Sequence, residues 1–165
     1  MAAVSGVAEY PDRIESVFHN TEISRNGVYA LNIYALGMPH TVIIDDLLPF
    51  MPHPKDPKIV KLAYAFLGSE NALWGPLVEK ALAKYTGNYW HIDGGVIYEG
   101  VSMLNGSPYE QIVHQPFGSR RYVNDYWDTI RAHDYDRDII TCKSAKVQNQ
   151  GYRGEIRPDH SFVIL

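Results

Sequence analysis

Residues 73–95 read LWGPLVEKALAKYTGNYWHIDGG, and this stretch anchors the rest of the chain. Trp74, Leu77, Val78, Ala81, Leu82 and Tyr85 recur at helical spacing as one apolar stripe, with Glu79, Lys80 and Lys84 off it. Pro76 is tolerated only in a first turn, and Gly87 supplies a C-terminal stop. The stretch therefore predicts a helix over 73–85. Glycines 94, 95, 100 and 106 then punctuate what reads as a loop-rich segment, ending at a hinge near Asn105-Gly106-Ser107-Pro108.

Upstream, residues 1–18 read as a helix stopped or bent near Pro11, with Val4, Val7, Ile14, Val17 and Phe18 at roughly helical spacing. Two apolar runs follow, VYALNIYAL and HTVIIDDLLPF, separated by Gly37-Met38-Pro39; they predict an antiparallel hairpin. The three prolines of MPHPKDPKIVK (51–61) predict a loop. Downstream, 122–133 reads as a helix, 138–144 as a strand and 161–165 as another strand. Two strands and a helix leave β-edges unpaired. Together with a helix at Met1 that has no N-cap, this leads us to expect that both ends cut through structure and that a partner or companion segment completes the second lobe.

Composition narrows the function classes. A net charge of −4 and scattered basic residues, with Arg120-Arg121 the one pair of adjacent arginines, give no footprint for nucleic acid. No apolar run approaches the roughly 20 residues of a membrane-spanning helix, and the first residues lack the basic flank of a signal peptide. The lone cysteine, Cys142, fits a reducing, intracellular and cytoplasmic setting.

The 73–95 stretch resembles the helix and following loop of calpain-type (C2) cysteine proteases, in which an LLEKAYAK-like helix precedes a small-residue turn, an aromatic and a Gly-Gly pair. GVYALNIYALGMPHTVIIDDLLPF resembles the strand pair ending in that family's Asp-Asp-x-Leu-Pro motif, here Asp45, Asp46, Leu48 and Pro49. GSPYE (106–110) resembles the turn into its second lobe. The resemblance implies an α+β, papain-like fold: a helical first lobe with a small antiparallel sheet over 1–106, and an incomplete β-rich second lobe over 107–165. MAAVSGVAEYPDRI resembles the continuation of the helix that carries the nucleophile in a Gly-Asp-Cys-Trp sequence, so Met1 falls about three residues past that cysteine, and the oxyanion-hole glutamine would also lie upstream. Asp159-His160-Ser161-Phe162 resembles the Gly-His-Ala-Tyr motif of the catalytic histidine. The Asn-Pro-Trp-Gly motif of the orienting asparagine would follow the last residue. His160 is thus the one catalytic residue the resemblance assigns, with its partners absent.

The remaining chemistry reads as structural. Cys142 lies in a strand, matches a non-catalytic family position, and has Lys143 on the opposite face. Asp134, Asp136 and Asp138 imitate the start of an EF-hand, but Ile139 stands at the required glycine and Ala145 at the required glutamate. The resemblance implies calcium for the family, one ligand being a Glu just before the helix; here Ala72 holds that place and Glu70 is two residues off, so no metal or cofactor is expected for this chain alone. His40, His91 and His133 lack zinc spacing. Asp45 and Asp46 are expected to close the hairpin, and Tyr89, Trp90 and Tyr98 to line a peptide cleft or pack between lobes. The expected function is a calpain-like, non-catalytic structural or interaction module. The alternative is part of an active calcium-dependent cysteine endopeptidase acting on peptide or protein substrates.

Overall fold

The computed structural model describes residues 2–113, 120–144 and 159–164; Met1, Ala145 and Leu165, used in the readings above, lie outside them. The architecture is α+β, with helices and small antiparallel sheets. The order is α1 (Ala2–Val7), α2 (Pro11–Glu15), β1 (Val28–Ala35), β2 (Met38–Asp45), β3 (Phe50–His53), β4 (Asp56–Leu62), α3 (Trp74–Thr86), α4 (Ile97–Asn105), α5 (Arg120–Tyr135), β5 (Ile140–Lys143) and β6 (Ser161–Ile164). The described strands pair as three two-stranded antiparallel sheets: β1–β2, β3–β4 and β5–β6.

β1 and β2 meet through a turn at Leu36 and Gly37, both with positive φ (52° and 76°), the conformation that matches the twist of a two-residue hairpin. The turn lies one step earlier than the sequence suggests, and Pro39 sits inside β2 opposite Tyr34. Alternation along the strands turns Leu31, Ile33, Val42 and Ile44 inward. They join Val4, Val7, Val17, Leu77, Val78, Ala81 and Leu104 in one core. The free edge of β1 is covered by the segment after α2: Asn32 N–H donates to Val17 O at 2.8 Å, and His19 N–H to Ala30 O at 3.0 Å.

α3 lies where the sequence puts it, and its buried side includes Leu77, Val78 and Ala81, while Tyr85 is exposed. Its charged residues do not face water alone. Lys80 Nζ donates to Asp45 Oδ1 (2.5 Å) and Leu47 O (2.6 Å), Lys84 Nζ to Ile43 O (2.6 Å), and Glu79 Oε2 accepts from Ala65 N–H (2.7 Å). The helix is clipped to the first hairpin and Leu47 on one side and to the loop between β4 and α3 on the other.

Three expectations need correction. The single N-terminal helix is two short helices, because Pro11 starts the second at its first turn. Residues 51–61 are not a loop: β3 and β4 form a hairpin, with Pro52 at a register position opposite Val60 that requires no N–H. The glycine-rich segment contains α4. Gly100 is there because Ala3 of α1 presses on it: a Cβ at position 100 would lie 2.7 Å from Ala3 Cβ. Gly106 closes the helix in the left-handed conformation (φ 71°). α5 runs longer than 122–133, and β5 is shorter than 138–144.

Candidate functional site

His160 precedes β6 and is fixed by its backbone. Ser144 N–H donates to His160 O at 2.9 Å, and His160 N–H donates to Ser144 Oγ at 3.0 Å. Asp159 takes a left-handed φ of 50° that turns the chain into the strand, and its carboxylate meets Lys143 Nζ at 3.1 Å. The His160 ring is exposed, with the Phe162 ring edge-on at 5.1 Å between centroids.

The β5–β6 register pairs Cys142 with Phe162 and Lys143 with Ser161. Alternation puts Cys142, Phe162 and His160 on one face, with Lys143 on the other. The exposed thiol is therefore a diagonal neighbour of the imidazole, a relation the sequence does not disclose because it depends on register. The hydrogen bonds of the described residues include none between Cys142 and His160, and the thiol sits mid-strand rather than at a helix N-terminus. The opposite face packs on α1: a Cβ at Gly6 would lie 2.9 Å from Ile139 Cγ2 and 3.5 Å from both Val163 methyls. The helix at the start of the chain and the strand that follows His160 are thus in contact.

A groove of about 650 Å³ lies elsewhere, among α4, residues 107–112, α5 and β5, and His160 does not line it. Tyr98 and Tyr109 stack there at 3.8 Å. His133 Nδ1 bonds Asp138 Oδ2 at 2.7 Å, and this hydrogen bond holds the imidazole above its ordinary pKa of 6.5. Because the folded value is the higher one, the pair's contribution is fully present below about pH 6.5 and fades as pH rises through the folded-state value. Asp138→Asn should return the His133 NMR titration midpoint toward its ordinary value; an unmoved midpoint would contradict this pairing.

The other sequence candidates are held by structural bonds. Asp45 is kept below the usual carboxylate range by the Lys80 hydrogen bond and the Leu47 N–H. Asp46 N–H donates to Gly27 O at 2.9 Å, so the acidic pair closes the hairpin base. Tyr89 stacks on Tyr64 at 4.2 Å, and its pKa is pushed up to about 12, by burial first and then by the Glu79 charge. Trp90 is 82% exposed. Of the DYDRD residues, Asp138 is engaged by His133, and Arg137 pairs with Asp12 at 3.2 Å. Among the described residues no three His, Cys, Asp or Glu side chains converge as a metal site. Among them, too, no helix is long and apolar enough to cross a membrane.

The comparison with known proteins decides what this arrangement belongs to. The model of the calpain family of cysteine proteases matches residues 1–165. The chain belongs to that family. It is 32% identical over 112 residues to the calpain-type cysteine protease DEK1 of Arabidopsis thaliana, covering 68% of this chain and 5% of that protein. Against the calpain-type cysteine protease ADL1 of Oryza sativa subsp. japonica it is 30% identical over 112 residues, with the same coverage. Against the human calpain-1 catalytic subunit it is 34% identical over 80 residues, 48% of this chain and 10% of that one. This calpain-family chain spans only a small part of the length of the curated relatives it matches.

Proposed function

We infer that this chain is a calpain-like protease-core module of papain-like design, with a first lobe over 1–106 and part of a second over 107–165, that is non-catalytic by itself and serves as a structural or interaction subunit. The observation that carries the reading is the setting of its only thiol. Cys142 is on a strand, shares a face with His160 without a hydrogen bond to it, and has no helix N-terminus to stabilise a thiolate. His160 holds the family's general-base position, where it would take the proton from a thiol and form a thiolate–imidazolium pair. In this chain it has no such nucleophile to activate. Calcium is not required by this reading.

A second reading is part of an active calcium-dependent cysteine endopeptidase whose nucleophile and asparagine lie outside this chain. The contact of α1 with β6 supports it, because it joins the helix resembling the one that follows the nucleophile to the strand that follows His160.

The purified chain should leave a fluorogenic casein substrate uncut with or without calcium. A small thiol reagent should label exposed Cys142, whereas an epoxysuccinyl peptide should not. Cleavage that disappears in His160→Ala, or epoxysuccinyl labelling at Cys142, would overturn the non-catalytic reading.

A further inference from the structure

The β3–β4 hairpin stands apart from the core. Phe50, Ile59 and Val60 are 61%, 55% and 64% exposed, on strands that pair only with each other among the described residues. A lone two-stranded hairpin is marginal in water. Its two edges differ. Ala63 N–H donates to Pro49 O at 2.9 Å, and the register pairs Met51 with Lys61 and Pro52 with Val60. Antiparallel pairs alternate between exchanging both backbone hydrogen bonds and exchanging none. Proline has no N–H, so the Pro52–Val60 pair is of the second kind, as is Phe50–Leu62. Val60 and Leu62 therefore turn their N–H and C=O groups away from β3, leaving an edge open to another strand. The opposite edge is blunted by Pro52.

The charge around that edge is distinctive. In a chain of net charge −4, residues 50–62 carry Lys55, Lys58 and Lys61 against a single acid, Asp56. We propose that the free edge of β4 accepts an extended acidic and apolar peptide segment of a partner protein, which adds as a further strand beside Val60 and Leu62 with carboxylates on both of its faces, toward Lys58 on one and Lys61 on the other. Backbone hydrogen bonds supply the affinity of such strand addition and alternate side chains its specificity. A second copy of this chain fits poorly, since edge-to-edge pairing would set these lysines against their equivalents. A membrane fits poorly as well. The tip at 53–57 carries Lys55 and Asp56, while the apolar side chains sit behind it on the strands, the reverse of an inserting tip. This inference does not depend on whether the chain is catalytic.

The test is fluorescence anisotropy of the full chain with a labelled peptide of repeating Val-Val-Glu-Glu, which as a strand carries carboxylates on both faces. Saturable binding is expected, weakened at least tenfold by Val60→Pro, which removes one outward N–H and leaves the pairing with β3 intact. Lys58→Glu with Lys61→Glu should abolish binding of this peptide and confer binding of its valine–lysine counterpart; these surface changes decide the matter if the proline variant misfolds. Absence of binding, or binding indifferent to both variants, overturns the proposal. So does self-association lost in Val60→Pro, which assigns the edge to a second copy, or capture of the chain by phosphatidylserine vesicles with no affinity for the peptide.

Discussion

Leu31→Ala is expected to lower the free energy of unfolding by about 2–5 kcal/mol, the range for truncating a buried leucine in a core that cannot fully collapse. Leu31 has no exposed surface, lies in the centre of β1 opposite Val42, and belongs to the cluster that gathers α1, α3, α4 and the first hairpin. Every element around the missing side chain is held by other contacts, so the cavity would persist. A loss of that size is a large share of the roughly 5–15 kcal/mol of a whole domain. Urea denaturation checks it: the midpoint should fall while the slope stays near the parent value. Ile23→Ala is the internal control, since Ile23 is 87% exposed and should move stability by no more than about 0.5 kcal/mol. Equal effects at the two positions would mean that the core is drawn wrongly.

Gly6→Leu tests the contact between α1 and β6. A Cβ there already comes within 2.9 Å of Ile139 Cγ2, so a branched side chain must push β5 and β6 away from the helix. Overpacking of this kind costs about 1–3 kcal/mol. The change should also register locally: amides of 140–143 and 161–164, and the His160 backbone that ends their pairing, should exchange hydrogen faster than in the parent. A leucine variant with parental stability and parental exchange would show that helix and strand are not packed together.

How far the sequence could be read depended on whether local rules and tertiary packing agreed. At Trp74–Thr86 they did, since stripe, first-turn proline and closing glycine all indicate one helix. The first hairpin was likewise visible in its β-branched runs, though not its turn, because nothing local distinguishes a turn at Leu36-Gly37 from one at Gly37-Met38-Pro39. α4 was hidden because Gly100 reads as a breaker, and its justification, Ala3, lies far away in sequence. Pro52 masked the second hairpin for a similar reason: a proline is allowed on a strand where no ladder N–H is needed, which only the register reveals. His160 could be singled out from its short motif. That Cys142 shares its face could not, since the pairing of β5 with β6 fixes it and no residue count along the chain does.

The meeting of Gly6 with Val163 also bears on how the molecule is made. During synthesis α1 leaves the ribosome before β6, one of its docking surfaces, and Gly6 and Val163 lie far apart along the chain. Closing so long a loop is entropically slow, and contacts of such sequence separation delay folding. α1 can pack early on α4 through Ala3 and Gly100, but the sheet bearing His160 can be seated only after β6 has been made.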